Sequence, residues 1–217
     1  MSDKDDKIMS RIADGREYRA MPVMSADNDN KKTVRGYATT FDTPYCLYKE
    51  PGYEFWEVIA RSAFDKCDMS DVIMQYNHAG HVYARNSNKT LALTPDNHGL
   101  EVVAELGGTT IGGQLYEEIK GGYTTKMSFG FRVGKDERKI EEDAEAGTYK
   151  VTRTITEISK LYDVSAVSLP ANDGTEISAR NIGEGVIAEI KAERLRAAEA
   201  IAKRKAEIDL IKILAER

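Results

Sequence analysis

One stretch constrains this chain more than any other: residues 126–133, Lys-Met-Ser-Phe-Gly-Phe-Arg-Val. Its strict alternation puts Met127, Phe129, Phe131 and Val133 on one face and Lys126, Ser128, Gly130 and Arg132 on the other. That is the period of a half-buried β-strand. Any fold that contains it has a sheet with the aromatic face on a core. The opposite face is small and polar, and a glycine two residues past a serine leaves room for another chain or a reacting group. A cation at Lys126 or Arg132 is placed to hold a peptide backbone or a developing negative charge. The plain alternative is an ordinary solvent-face serine on an antiparallel strand, since such strands commonly turn a polar side outward.

Similar patterns recur along the chain. Residues 33–41 and 53–59 carry the β-branched and aromatic content of strands. Residues 72–76 form a short, nearly all-apolar run, as expected of a strand buried on both faces. That strand ends directly at His78, a good place to present an imidazole at the rim of a sheet. Residues 90–94 and 99–105 read as a hairpin around the Pro-Asp-Asn-His turn at 95–98, and residues 61–67 as one helical turn. A glycine-rich loop at 107–113 leads into a helix over 114–120, closed by Gly121 and Gly122. Residues 134–147 are a charged excursion, read as a solvated hairpin tip or loose loop. Strands are expected again at 149–158 and 161–169.

The ends differ from the middle. Residues 1–32 are charged and weakly periodic, and read as a mobile arm or an edge segment, with a loop at the polar cluster 26–32. Residues 184–217 form helix readily, with Ile187, Ile190, Ala197, Ile201, Ile208 and Ile211 at roughly heptad spacing, though Arg194 and Arg204 interrupt that seam. This is a docking or self-association helix, or a solvated terminal one.

Composition narrows the classes. The 217 residues suffice for one sizeable domain with appendages or two small ones, and 41% hydrophobic content supports a core. A net charge of -5 argues against a dedicated nucleic-acid binder. No apolar run approaches membrane-spanning length, so no membrane partner is expected. The N-terminus shows no apolar export segment. Cys46 and Cys67 do not make a disulfide framework and read as ordinary thiols.

Three residues stand out for chemistry: His78 at a strand end, Ser128 within a strand and Asp163 inside the strand Leu-Tyr-Asp-Val-Ser-Ala-Val-Ser-Leu. Aspartate is depleted in strand interiors. At this position it is expected to share a face with Leu161, Ser165, Val167 and Leu169 and to be partly buried, which requires a partner. A serine nucleophile needs a base for its proton and a third group to orient that base. All three types are present, though spacing alone does not bring them together. The competing readings are a zinc site at His78, His81 and His98, which lacks a recognisable ligand set, and a phosphate cradle at 107–113, which lacks the P-loop lysine. No cofactor is expected.

On these residues the chain resembles the prohead (head maturation) proteases of tailed bacteriophages, of the HK97 type. The carrying segments are VRGYATTFD, EVIARSAFD, VIMQYNHAGHVYAR, KMSFGFRV and LYDVSAVSLPAND, with Ile177 to Arg180 after them; together they span about 33–180 in the family's order. The family is similar in turn to the herpesvirus assemblins. That likeness implies an α+β fold with an antiparallel β-barrel-like core flanked by helices and followed by a C-terminal helix. The expected organisation is an arm at 1–32, a protease domain at 33–182 and a docking helix at 183–217. The resemblance further implies a serine endopeptidase inside the procapsid in the host cytoplasm. Its expected substrates are the scaffold, or the scaffolding segment of the major capsid protein, and itself; self-association is expected too. In this reading Ser128 attacks, His78 is general base and then acid, and Asp163 orients His78. Assemblins have a histidine where Asp163 stands, which leaves Glu157 as a second candidate for the third role. The oxyanion donors are guessed at backbone N–H groups near Asn172, or Arg85.

Overall fold

The computed structural model describes residues 15–22, 24–143, 147–168 and 173–215. It divides into two compact units, Met1–Arg180 and Asn181–Arg217. The first carries eleven strands among its described residues: β1 (Glu17–Pro22), β2 (Met24–Ala26), β3 (Thr33–Thr40), β4 (Tyr45–Glu50), β5 (Tyr53–Ile59), β6 (Ile73–Tyr76), β7 (Ala79–Arg85), β8 (Leu91–Pro95), β9 (Gly99–Glu105), β10 (Lys126–Asp143) and β11 (Thr148–Val167). A 3₁₀ turn spans Arg61–Phe64, and the helix α1 spans Thr110–Lys120. A second helix, α2 (Asp173–Ala215), runs into the C-terminal unit and begins well before the helix expected from 184.

The architecture is α+β. One sheet has the order β1-β10-β11-β5-β4, with β6 on β11 and β7 on β6; the other has the order β2-β3-β9-β8. Both sheets are open, so the expected barrel-like closure is not seen among the described residues. Nor is the pairing antiparallel throughout. Both β5 and β6 lie parallel to β11, β5 along Tyr149 to Ile155 and β6 along Asp163 to Ala166. The core forms where the sheets meet: Val34, Leu100, Val102 and Ala104 come from one, and Met74, Met127, Phe129, Phe131, Ile155 and Val164 from the other. Met127, Phe129 and Phe131 are fully buried, as their alternation requires. Helix α1 covers part of this core with Leu115, Tyr116 and Ile119.

Three local readings change. The charged segment 134–147 is mostly strand, because β10 continues to Asp143 against β11. The ladder hydrogen bonds to β11 form there whatever the side chains carry. Likewise the expected strands at 149–158 and 161–169 are one strand, and bulges absorb the break in alternation between them. Helix α1 starts four residues before the expected 114, inside the glycine-rich loop, where the Thr109 hydroxyl accepts the Gly112 N–H at 3.0 Å and caps it. A Cβ on Gly112 would stand 2.3 Å from the Leu106 carbonyl oxygen, so the glycine permits that close approach.

Within the segment read as a mobile arm or an edge segment, residues 17–22 supply the edge strand β1, which pairs with the Ser128 strand from Glu17↔Phe131 to Pro22↔Lys126. A buried ionic cluster ties it down. Arg19 donates to Glu57 at 2.6 and 2.7 Å and to Glu17 at 2.7 Å. Arg153 reaches Glu17 at 2.8 Å, Glu57 at 3.1 Å and Asp136, and the Tyr45 hydroxyl donates to Glu57 at 2.5 Å. Burial alone would weaken the charge on Arg19, but Glu57 and Glu17 outweigh it and hold the guanidinium protonated.

Candidate active site

The site is built on the strands around β10. Ser128 lies in mid-strand, opposite Ala20 of β1 and Ser165 of β11. Asp163 of β11 pairs with Gly130. Immediately beyond, the register shifts so that Phe131 faces Leu161 and Tyr162 is the extra residue. The bulge separates two residues expected to share a face: Leu161 joins Phe131, while Asp163 stands with Gly130 and Ser128. Bulges commonly re-aim side chains in this way next to active sites. Glycine at 130 is required by packing, since a Cβ there would lie 2.5 Å from Asp163 Oδ2 and 2.8 Å from Tyr18 Cε1.

His78 comes from the two-residue turn between β6 and β7. Asn77 and His78 both have positive φ, 51° and 54°, as a tight hairpin of this length demands. Asparagine and histidine are among the residues that adopt the left-handed conformation most readily after glycine. The turn is anchored by Asn77 N–H to the Ala166 carbonyl at 2.9 Å and by Ser168 N–H to Asn77 Oδ1 at 3.2 Å.

The structure brings the three residues into one hydrogen-bonded chain. His78 Nδ1 lies 2.5 Å from Asp163 Oδ1, and His78 Nε2 lies 2.6 Å from Ser128 Oγ. All three are buried, with exposures of 3% for His78 and 1% for Ser128 and Asp163. Asp163 Oδ1 also accepts from Ser165 Oγ at 3.1 Å, and Oδ2 faces the Arg16 guanidinium at 3.9 Å. Tyr18 packs edge-on against the imidazole with ring centroids 4.5 Å apart.

Burial by itself would raise the Asp163 carboxyl. The attraction of His78, the hydrogen bonds from His78 and Ser165, and the Arg16 charge together hold it below the ordinary carboxylate range. An ionised carboxylate only accepts, so the proton of the imidazole sits on Nδ1 and Nε2 presents its lone pair to the serine hydroxyl. A hydroxyl, an imidazole and a buried carboxylate in that order can remove a proton from the oxygen and stabilise the resulting cation, which are the working parts of a serine hydrolase.

The other candidates lie elsewhere. Glu157 pairs with Lys135 at 3.1 Å. Arg85 is held by Asp71 through two 2.7 Å bonds, opposite Ile73 at the end of the β6–β7 hairpin away from His78, so that oxyanion guess is not supported. Asn172 lies outside the described residues. His81 is exposed and His98 packs on Tyr37 in the β8–β9 turn. Among the described residues no His, Cys, Asp or Glu cluster is spaced to hold a metal ion. Both cysteines are free thiols. No described helix is long and apolar enough to cross a membrane.

Sequence reasoning missed Arg16 and Tyr18 as neighbours of the site, and the ionic cluster beneath β1. One signal was available: Glu57 and Arg153 occupy buried-parity positions, within Phe55-Glu57-Ile59 and Val151-Arg153-Ile155.

A family model described as caudovirus prohead serine protease matches residues 19–186, a span that contains His78, Ser128 and Asp163. The chain belongs to that family and is on this ground a serine protease of the phage prohead. No curated protein and no solved structure matches it.

Proposed function

We propose that this protein is the maturation endopeptidase that cuts the scaffold, or the scaffolding segment of the major capsid protein, and then itself, inside the procapsid in the host cytoplasm. Ser128 Oγ attacks the scissile carbonyl while His78 Nε2 takes its proton. His78 then returns that proton to the leaving amine, and water repeats the sequence to release the acyl group. Asp163 orients His78 and stabilises the imidazolium. The observation that carries this reading is the buried hydrogen-bonded chain from Asp163 through His78 to Ser128. The helical segment 183–217 serves as the docking element, for capsid protein or for a second copy of this chain.

The test is co-expression with the cognate major capsid protein, comparing wild type with Ser128→Ala and His78→Ala by intact mass. Capsid protein shortened by wild type alone is the expected result. Full-length capsid protein in all three, with capsids assembled, would favour a non-catalytic scaffolding role. Shortening that survives Ser128→Ala would mean another nucleophile.

A further inference from the structure

The face of β10 that carries Ser128 also carries two cations, Arg132 toward Tyr162 and Lys126 at the other end. Lys126 lies two residues before Ser128 in an unbroken register: Lys126 pairs with Val167 and Pro22, and Ser128 with Ser165 and Ala20. Two strand residues span about 7 Å, within reach of a lysine side chain. Along this face Gly130 and Ser128 are buried while Lys126 is half-buried. Asp163 and Tyr18 fill the space over Gly130, so a polypeptide laid across Ser128 leaves past Lys126.

Several cations elsewhere around this sheet face carboxylates. Arg16 faces Asp163, Lys160 is bonded to Asp68, Arg85 to Asp71 and Lys135 to Glu157. Among the described residues, the Lys126 ammonium has no hydrogen bond or ion pair. An arriving carboxylate would pair with that ammonium in a charge-assisted hydrogen bond.

We infer that Lys126 sets the specificity of the site by binding an aspartate or glutamate side chain of the substrate, within about three residues of the scissile bond. This rests on Ser128 being the nucleophile. A neutral or basic residue in that position leaves the ammonium uncompensated, so the preference acts on binding rather than on the proton transfers at His78.

The experiment digests a proteome-derived peptide library with the full chain as wild type, Lys126→Gln, Lys126→Arg, Lys126→Glu and Ser128→Ala, reading cut sites by mass spectrometry. Wild type and Lys126→Arg are expected to cut where Asp or Glu recurs at one position near the cut. Lys126→Gln loses about 10- to 100-fold in kcat/KM on an acidic peptide, mainly through KM, and loses far less on a neutral analogue. Lys126→Glu turns the preference toward Lys and Arg. The same cut-site profile in wild type, Lys126→Gln and Lys126→Glu overturns the inference. Cutting by Ser128→Ala instead overturns the nucleophile assignment beneath it, so the two failures are told apart.

Discussion

A single added methyl at Gly130 tests the packing of the site. In Gly130→Ala the new carbon would sit 2.5 Å from Asp163 Oδ2 and 2.8 Å from Tyr18 Cε1. Neither neighbour yields cheaply. Asp163 is a short side chain held by His78 and Ser165, and Tyr18 is 1% exposed. Overpacking of this kind costs about 1–3 kcal/mol. For a unit of this size that is a fall in melting temperature of about 2–12 °C. The activity effect is larger in proportion. Relief of the clash moves the carboxylate off His78, and a displacement of about 1 Å in such a constellation costs about 100-fold in rate. Thermal melts by circular dichroism and peptide cleavage by the folded variant measure the two effects. Gly108→Ala is the control, because nothing lies within 4 Å of its Cβ position; it is expected to melt with wild type or slightly above. If Gly130→Ala melted with wild type and cleaved at the wild-type rate, the contact packing described around Asp163 would be wrong. A lower melting temperature with undiminished cleavage would separate Asp163 from the chemistry.

Two further outcomes follow from the buried charges. The folded-state pKa of Asp163 is depressed, so the stability this carboxylate contributes is full above its unfolded value of about 3.9 and is lost as pH falls through the lower folded value. Acid unfolding of wild type is therefore expected to be steeper between about pH 5 and 2 than that of Asp163→Asn, whose kcat falls about 10⁴-fold because the amide no longer fixes the Nδ1–H tautomer; parallel acid curves would refute the assignment. Arg19→Met leaves the buried Glu57 without its closest cation and is expected to cost about 3–5 kcal/mol in urea melts. The double variant Arg19→Met/Glu57→Leu costs less than the two single losses added, and strict additivity would show that the pair is not coupled.

What the residues alone determined was local. Period-two alternation is written into each segment, so the strand at 53–59, the hairpin around 95–98 and the buried face of Met127, Phe129 and Phe131 were legible without a structure. The same holds for the suspicion attached to a strand-interior aspartate and a strand-end histidine, because burial of such groups has a known free-energy penalty. Tertiary structure decided the rest. Ladder hydrogen bonds are indifferent to side-chain charge, so β10 runs through a segment that polarity marked as a loop. The place of β1 beside Ser128 depends on Arg19 meeting Glu57, 38 residues away, and nothing in residues 1–32 reports that. The parallel pairing of β5 and β6 on β11 is likewise a choice among distant partners. The distance from His78 to Asp163 rests on a left-handed turn and on a one-residue bulge at Tyr162. A bulge reverses which face a side chain takes, and it is set by how two strands register against a shared core rather than by the sequence of either one.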